Sequence, residues 1–197
     1  MSKILVIGAR GRAGSAAVAE ARGRGHEVVG VARTAGDGLV VGDVTDAGRI
    51  AELAVGQDAV IAGVYDAAPD FFARAARALV EGLEKAGVRR LVWVGLASIL
   101  PTADGTLLMD TDGYPREYRS FFLAHQAALD VLAASNLDWV SIAPAGDFDH
   151  GDPSAKGGYR AVPADARALI SYADFAVALV DEVDHPSRHR AAFGVLV

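Results

Sequence analysis

Three glycines at three-residue spacing, Gly8, Gly11 and Gly14, close the strand-like run Lys3-Ile4-Leu5-Val6-Ile7, and an Ala-rich helical stretch follows at once. A buried parallel strand that turns into a helix whose N-terminus receives a phosphate has this pattern. Gly8 permits a tight exit from the strand. Gly11 lets backbone approach a pyrophosphate, and Gly14 lets the helix pack closely on the sheet. Glycine-rich turns also occur without a ligand, so the flanking elements decide: a strand before, a helix after, and another strand about fifteen residues on. Arg10 and Arg12, inside the loop, add positive charge at the end where a diphosphate would lie.

Where such a turn binds NAD, an Asp or Glu about twenty residues past the glycines holds the ribose 2′-hydroxyl. Here Ala32 occupies that position and Arg33 follows. A guanidinium cannot accept from a hydroxyl but suits a 2′-phosphate, through charge and a fork of donors. The expected cofactor is therefore NADP(H) in preference to NAD(H), against the bland reading of Arg33 as a solvated residue at a strand end. Asp43, after the third strand, has two readings of equal weight: it holds an adenine amino group, or it caps the turn that follows.

The elements that must position these residues alternate along the chain. After the first strand and helix come strands at Glu27 to Ala32, Leu39 to Val41, Asp58 to Val64, Arg90 to Val94, Asp138 to Ile142 and Ala192 to Val197. Helical spacing marks the stretch after Thr45-Asp46, then Pro69 to Ala86, Glu117 to Ser135 and Tyr172 to Val183. Strands alternating with helices predict an α/β fold, a Rossmann-like doubly wound parallel sheet in three layers. In such sheets ligands sit beyond the carboxyl ends of the strands. Gly8, Arg33, Asp43, Gly63, Gly95 and Pro144 all fall at those ends. Two long irregular stretches, near 97–115 and 145–164, are expected to border the same cleft as substrate loops. Residues 1–197 read as a single domain, with no linker, repeat or low-complexity tract.

Composition narrows the partners. A net charge of −6 argues against a polyanion-binding surface, so nucleic acid is not expected. No apolar run approaches membrane-spanning length. With no cysteine there is no disulfide, thiol catalysis or cysteine metal site, which fits a cytoplasmic location. Asp147-Phe148-Asp149-His150-Gly151-Asp152 has the look of a cation loop but lacks the remaining ligands of one, so no metal is expected. His26, His185 and His189 stand in turn or terminal contexts and read as solvated.

Taken together, Ile7-Gly8-Ala9-x-Gly11-x-x-Gly14, Val31-Ala32-Arg33, Gly42-Asp43-Val44-Thr45-Asp46 and Ala86-Gly87-Val88-Arg89-Arg90-Leu91-Val92 resemble the atypical short-chain dehydrogenase/reductases. The resemblance is to the NmrA-like NAD(P)H-binding branch that includes biliverdin/flavin reductases. Ser135-Asn136-Leu137-Asp138-Trp139, Pro144 and Ile170-Ser171-Tyr172-Ala173-Asp174-Phe175-Ala176 continue it in order over nearly the whole chain. Arg10 departs from the family's usual Thr.

The resemblance implies a Tyr that protonates a carbonyl and a Lys four residues later. Aligned through Ser135 to Trp139, those positions hold Phe121 and His125, so the dyad is absent. Ser98 lies near the position of the family's strand-end Ser. His125 becomes the candidate acid or ribose contact, against a helix histidine satisfied by a loop carbonyl. Tyr65, Tyr114 and Tyr118 flank the expected cleft, and Tyr118 precedes His125 by two helical turns, where it could share its face.

The reading that follows is an NADPH-dependent oxidoreductase passing hydride to a flat small-molecule acceptor, a flavin or quinone. The alternative is a non-catalytic NADP(H)-binding redox sensor. Either would be a monomer or homodimer.

Overall fold

The structure, a computed structural model, describes residues 1–36, 38–151 and 157–197. β1 (Lys3–Ile7) leads into α1 (Arg12–Gly23), followed by β2 (Glu27–Ala32), β3 (Val40–Val41), α2 (Ala47–Ala54), β4 (Ala59–Ala62), α3 (Phe71–Ala86) and β5 (Arg90–Val94). The second half holds α4 (Arg119–Ala134), β6 (Asp138–Pro144), β7 (Asp147–Phe148), β8 (Arg160–Val162), β9 (Leu169–Ile170), α5 (Tyr172–Asp184) and β10 (Ala191–Leu196). Eight strands form one sheet in the order β3-β2-β1-β4-β5-β6-β10-β8, all parallel except β8, which runs antiparallel to β10. The predicted Rossmann-like doubly wound sheet is the one observed.

Alternation along the strands divides the core between the two faces. Leu5 and Ile7 of β1 join Val60, Leu91 and Trp93 on the face covered by α2, α3 and α4. Ile4 and Val6 point the other way, with Ile61, Val92 and Val140, against α1 and α5. Strands buried on both faces need apolar residues at successive positions, which is why the sequence shows runs rather than alternation. The helices carry matching stripes: Phe72, Ala75, Ala76, Leu79 and Leu83 of α3 are all buried.

α2 shows how local chemistry fixes an end. Asp46 is its N-cap, and its side chain accepts from the Arg49 N–H at 3.0 Å. Asp46→Ala is expected to cost about 1 kcal/mol of stability, read as a lowered midpoint in urea denaturation with an unchanged slope.

Several element ends differ by one or two residues from the sequence reading, and two departures lie near the expected substrate loops. The stretch at 145–164, expected to be irregular, contains β7 and β8, and β7 pairs with β9 in a separate two-stranded sheet. α4 begins at Arg119 after a 3₁₀ turn at Arg116–Tyr118. His26 is also corrected: its side chain is 5% exposed, Nδ1 accepts from the Ser2 N–H at 3.1 Å, and Nε2 lies 3.1 Å from Asp184. Among the described residues no helix is long and apolar enough to cross a membrane.

Candidate functional site

The turn from β1 to α1 is built by backbone fitting against backbone. Gly8 has φ +83°, and a Cβ there would stand 1.9 Å from the Gly63 carbonyl oxygen. A Cβ on Gly14 would stand 2.2 Å from the Gly8 carbonyl oxygen. These two glycines therefore serve close packing of α1 on β1 and β4. Gly11 differs. It is the N-cap of α1 in extended conformation (φ −69°, ψ 161°), and the nearest atom to a Cβ would be the Gly8 oxygen at 3.2 Å. Among the described residues no side chain caps this helix, and its first turn carries no acid. The N–H groups of the first turn and the positive end of the helix dipole are thus free of any side-chain acceptor of the protein's own.

These groups border a cleft of about 520 Å³ at the carboxyl ends of β1, β2 and β4, lined by Gly8, Gly11, Ala32, Arg33, Gly63 and Tyr65 among others. Ala32 leaves no carboxylate at the end of β2. Arg10 also lines the cleft and donates to the Thr34 hydroxyl and, at 3.1 Å, to the Ala35 carbonyl. Arg33 Nη1 lies 2.7 Å from Asp66 Oδ2. Arg12 contributes to the same loop but donates to His150 Nδ1 at 2.9 Å, which brings the segment after β7 up to the N-terminus of α1.

Other expected positions fall elsewhere. Asp43 is flanked in the cleft lining by Gly42 and Val44 and is not itself part of it. Its Oδ1 accepts from both the N–H and the hydroxyl of Thr45, each at 2.8 Å, and those bonds hold its carboxyl below the usual range. That is the turn-capping geometry. Gly14 lies beneath the loop. Gly95 and Pro144 stand at the ends of β5 and β6, outside this cleft.

The two long irregular stretches meet each other: the Ala164 N–H donates to the Pro101 carbonyl at 2.9 Å. Between them lies a separate cleft of about 690 Å³ that shares no lining residue with the glycine cleft. Another cleft, of about 850 Å³, sits at the opposite end of the sheet, lined by Gln57, Asp58, Arg89 and Asp138 among others. Arg190 there is occupied, donating to the carbonyls of Ala133, Ser135 and Leu137 that end α4.

Around Phe121 and His125, the two residues singled out on α4, the structure holds an aromatic wall. The His125 ring lies 3.8 Å from that of Phe72 and 4.8 Å from that of Phe121, centroid to centroid. His125 is 6% exposed and its Nδ1 has no partner. Burial among these rings pushes its pKa down to about 4, so near neutral pH the imidazolium is a minor species. Tyr118 is 57% exposed at the start of α4 and does not share the buried face of His125. Tyr65, also exposed, stacks obliquely toward Phe121 with centroids 6.0 Å apart and links this wall to the glycine cleft. The half-buried Tyr114 hydroxyl and the buried Ser98 hydroxyl lie 2.9 Å apart after β5.

The sequence profile of an NAD(P)H-binding family matches residues 8–186. The chain belongs to that NAD(P)H-binding family. Solved structures of family-like chains superpose over its whole length. One from Burkholderia pseudomallei, provisionally described as an exported protein, is 34% identical with a TM-score of 0.88 and covers 100% of both chains. One from Streptococcus pneumoniae TIGR4, provisionally described as an NADH-flavin reductase, is 28% identical with a TM-score of 0.83, covering 100% of this chain and 99% of that one. A third, from Bacteroides thetaiotaomicron and provisionally described as an epimerase, is 32% identical with a TM-score of 0.83, covering 99% and 96%. The resemblance to atypical short-chain dehydrogenase/reductases read from the motifs agrees with these neighbours.

Sequence reasoning missed Asp66 as the partner of Arg33 and His150 as the partner of Arg12. Both pairings join connections far apart in sequence, and nothing in local spacing announces them. Asp152, the last carboxylate of the suspected cation loop, lies outside the described residues.

Proposed function

We propose that the chain is an NADPH-dependent oxidoreductase that delivers hydride to a flat, readily reduced small molecule, a flavin or a quinone. The observation that carries this reading is the uncapped N-terminus of α1 opening with Gly11 onto a cleft whose β2 end has Arg33 and no acid. These residues suit a phosphorylated dinucleotide: donors and dipole at α1, an approach path at Gly11 and the cation of Arg10 for its diphosphate, and Arg33 at the β2 end for a 2′-phosphate. In this reading Gly8, Gly14 and Gly63 shape the loop, and Gly95 and Pro144 border the nicotinamide half. Arg12 keeps the segment after β7 close.

When bound, the reduced nicotinamide supplies the hydride. The chain itself supplies position and an aromatic wall that runs from the exposed Tyr65 through Phe121 to the buried Phe72. Phe121 and the neutral His125 offer no strong acid, which favours acceptors whose proton can come from solvent. The neighbour provisionally described as an NADH-flavin reductase supports that class.

The same absence of an acid favours a second reading, a non-catalytic NADP(H)-binding sensor. Titration with NADPH and NADH, followed by NADPH oxidation with FMN and a panel of small quinones, separates them. Turnover supports the reductase. Tight binding without turnover supports the sensor, and failure to bind either nucleotide defeats both. A cytoplasmic site of action fits the cysteine-free composition.

A further inference from the structure

Arg33, which lines the glycine cleft, is tied by an ion pair to Asp66, next in the chain to the lining residue Tyr65, and the consequence lies in ligand choice rather than stability. Arg33 leaves the end of β2, whereas Asp66 belongs to the connection from β4 to α3. The carboxylate is held at both oxygens. Oδ1 accepts from the Ala68 N–H at 3.1 Å, and Oδ2 meets the Arg33 guanidinium at 2.7 Å. These two contacts, the backbone bond first, hold the Asp66 carboxyl below its usual range. The side chains are 63% and 34% exposed, and a pair so wetted contributes little to folding. Asp43 also lies within the field of Arg33. Arg33 thus already has a carboxylate partner before any ligand arrives.

We infer that Asp66 is a specificity-determining residue whose carboxylate competes with a ribose 2′-phosphate for Arg33 and supplies, from the β4 connection, the acid that β2 lacks. This rests on the reading of the cleft as a dinucleotide site. A 2′-phosphate must take Arg33 from Asp66 and then sit beside a like charge. A free 2′-hydroxyl meets neither cost and can donate to the carboxylate that stays. The preference for the phosphorylated dinucleotide is therefore narrow in the wild-type protein, and its width is set by one carboxylate outside the glycine motif.

The test is the ratio of dissociation constants for NADH and NADPH, measured by calorimetry at low salt in the wild type and in Asp66→Asn. Asparagine keeps an oxygen for the Ala68 N–H and removes only the charge. The ratio is expected to rise about five- to ten-fold in favour of NADPH, with NADH bound as before or more weakly. Adding Arg33→Ala to Asp66→Asn should erase that gain.

An unchanged ratio, or equal weakening of both nucleotides, would overturn the inference and leave Asp66 as a holder of its loop. The fragments 2′,5′-ADP and 5′-ADP keep the outcome readable if the variant disturbs the nicotinamide end, because the same change must appear between them. A wild type that binds neither dinucleotide would overturn the cofactor reading itself, a failure distinct from a wild type that binds while Asp66→Asn changes nothing.

Discussion

Gly11→Ala is expected to fold as the wild type does and to lose dinucleotide binding, while Gly8→Ala is expected to fail in the fold. The two glycines lie in one loop and look equivalent in the motif, yet their surroundings differ. Gly11 has backbone angles that any residue adopts, and its Cβ would meet one oxygen at 3.2 Å, a contact relieved by a shift of a few tenths of an ångström. The added methyl would stand where a diphosphate approaches. Losing two charge-assisted hydrogen bonds there costs about 3 kcal/mol, roughly a hundred-fold in Kd.

Gly8 has φ +83° and a Cβ position 1.9 Å from the Gly63 oxygen. Strain and overlap together should cost several kcal/mol, a large share of the stability of a domain this size. Thermal unfolding and NADPH titration, run side by side on both variants, read the difference. Wild-type affinity in a folded Gly11→Ala would mean that no phosphate approaches that backbone.

His125→Leu is expected to remove a large part of the protein's acid sensitivity without removing turnover. In the folded chain the imidazole titrates at about 4, against 6.5 when unhindered. The unfolded chain therefore binds its proton first as pH falls, so stability contributed by the neutral folded form is complete above about 6.5 and declines toward 4. Between pH 7.5 and 4.5 the wild type should lose about 2.5 kcal/mol more than the leucine variant. Urea denaturation of both proteins at the two pH values gives that difference directly.

At pH 7.5 the substitution should cost little, because leucine replaces a buried ring whose Nδ1 has no partner. If His125 donated a proton to the acceptor, NADPH oxidation would instead fall by about a hundred-fold or more in the variant.

The contrast between these residues also marks what the sequence could reveal. β1, the glycine turn and α1 were legible because all their determinants are local: an apolar run, three small residues and a helical stripe within one short segment. The doubly wound parallel sheet followed, since strands alternating with helices leave few topologies. β7, β8 and β9 were not legible, because two- and three-residue strands are defined by partners distant in the chain, not by their own pattern. His125 could be placed on a helix from spacing, but its burial depends on Phe72 from another helix. Arg33 carried the right chemistry to suggest a phosphate. Its local sequence held no sign that Asp66 would reach it first.

The position of β10 has a consequence for how the protein is made. It lies inside the sheet, between β6 and β8, although it follows every other strand in the chain. During synthesis the completed β6, with Val140 and Ile142 side by side on the face toward α1 and α5, offers an unsatisfied row of amides and carbonyls to its surroundings. The nascent chain passes through a stage in which most of the core can close but one flank stays adhesive. Any event that delays or removes residues 191–196 would leave that flank open and strand β8 without its pairing partner. Quality control in the cell would therefore meet this protein at β10, on the other side of β4, β5 and β6 from the glycine loop.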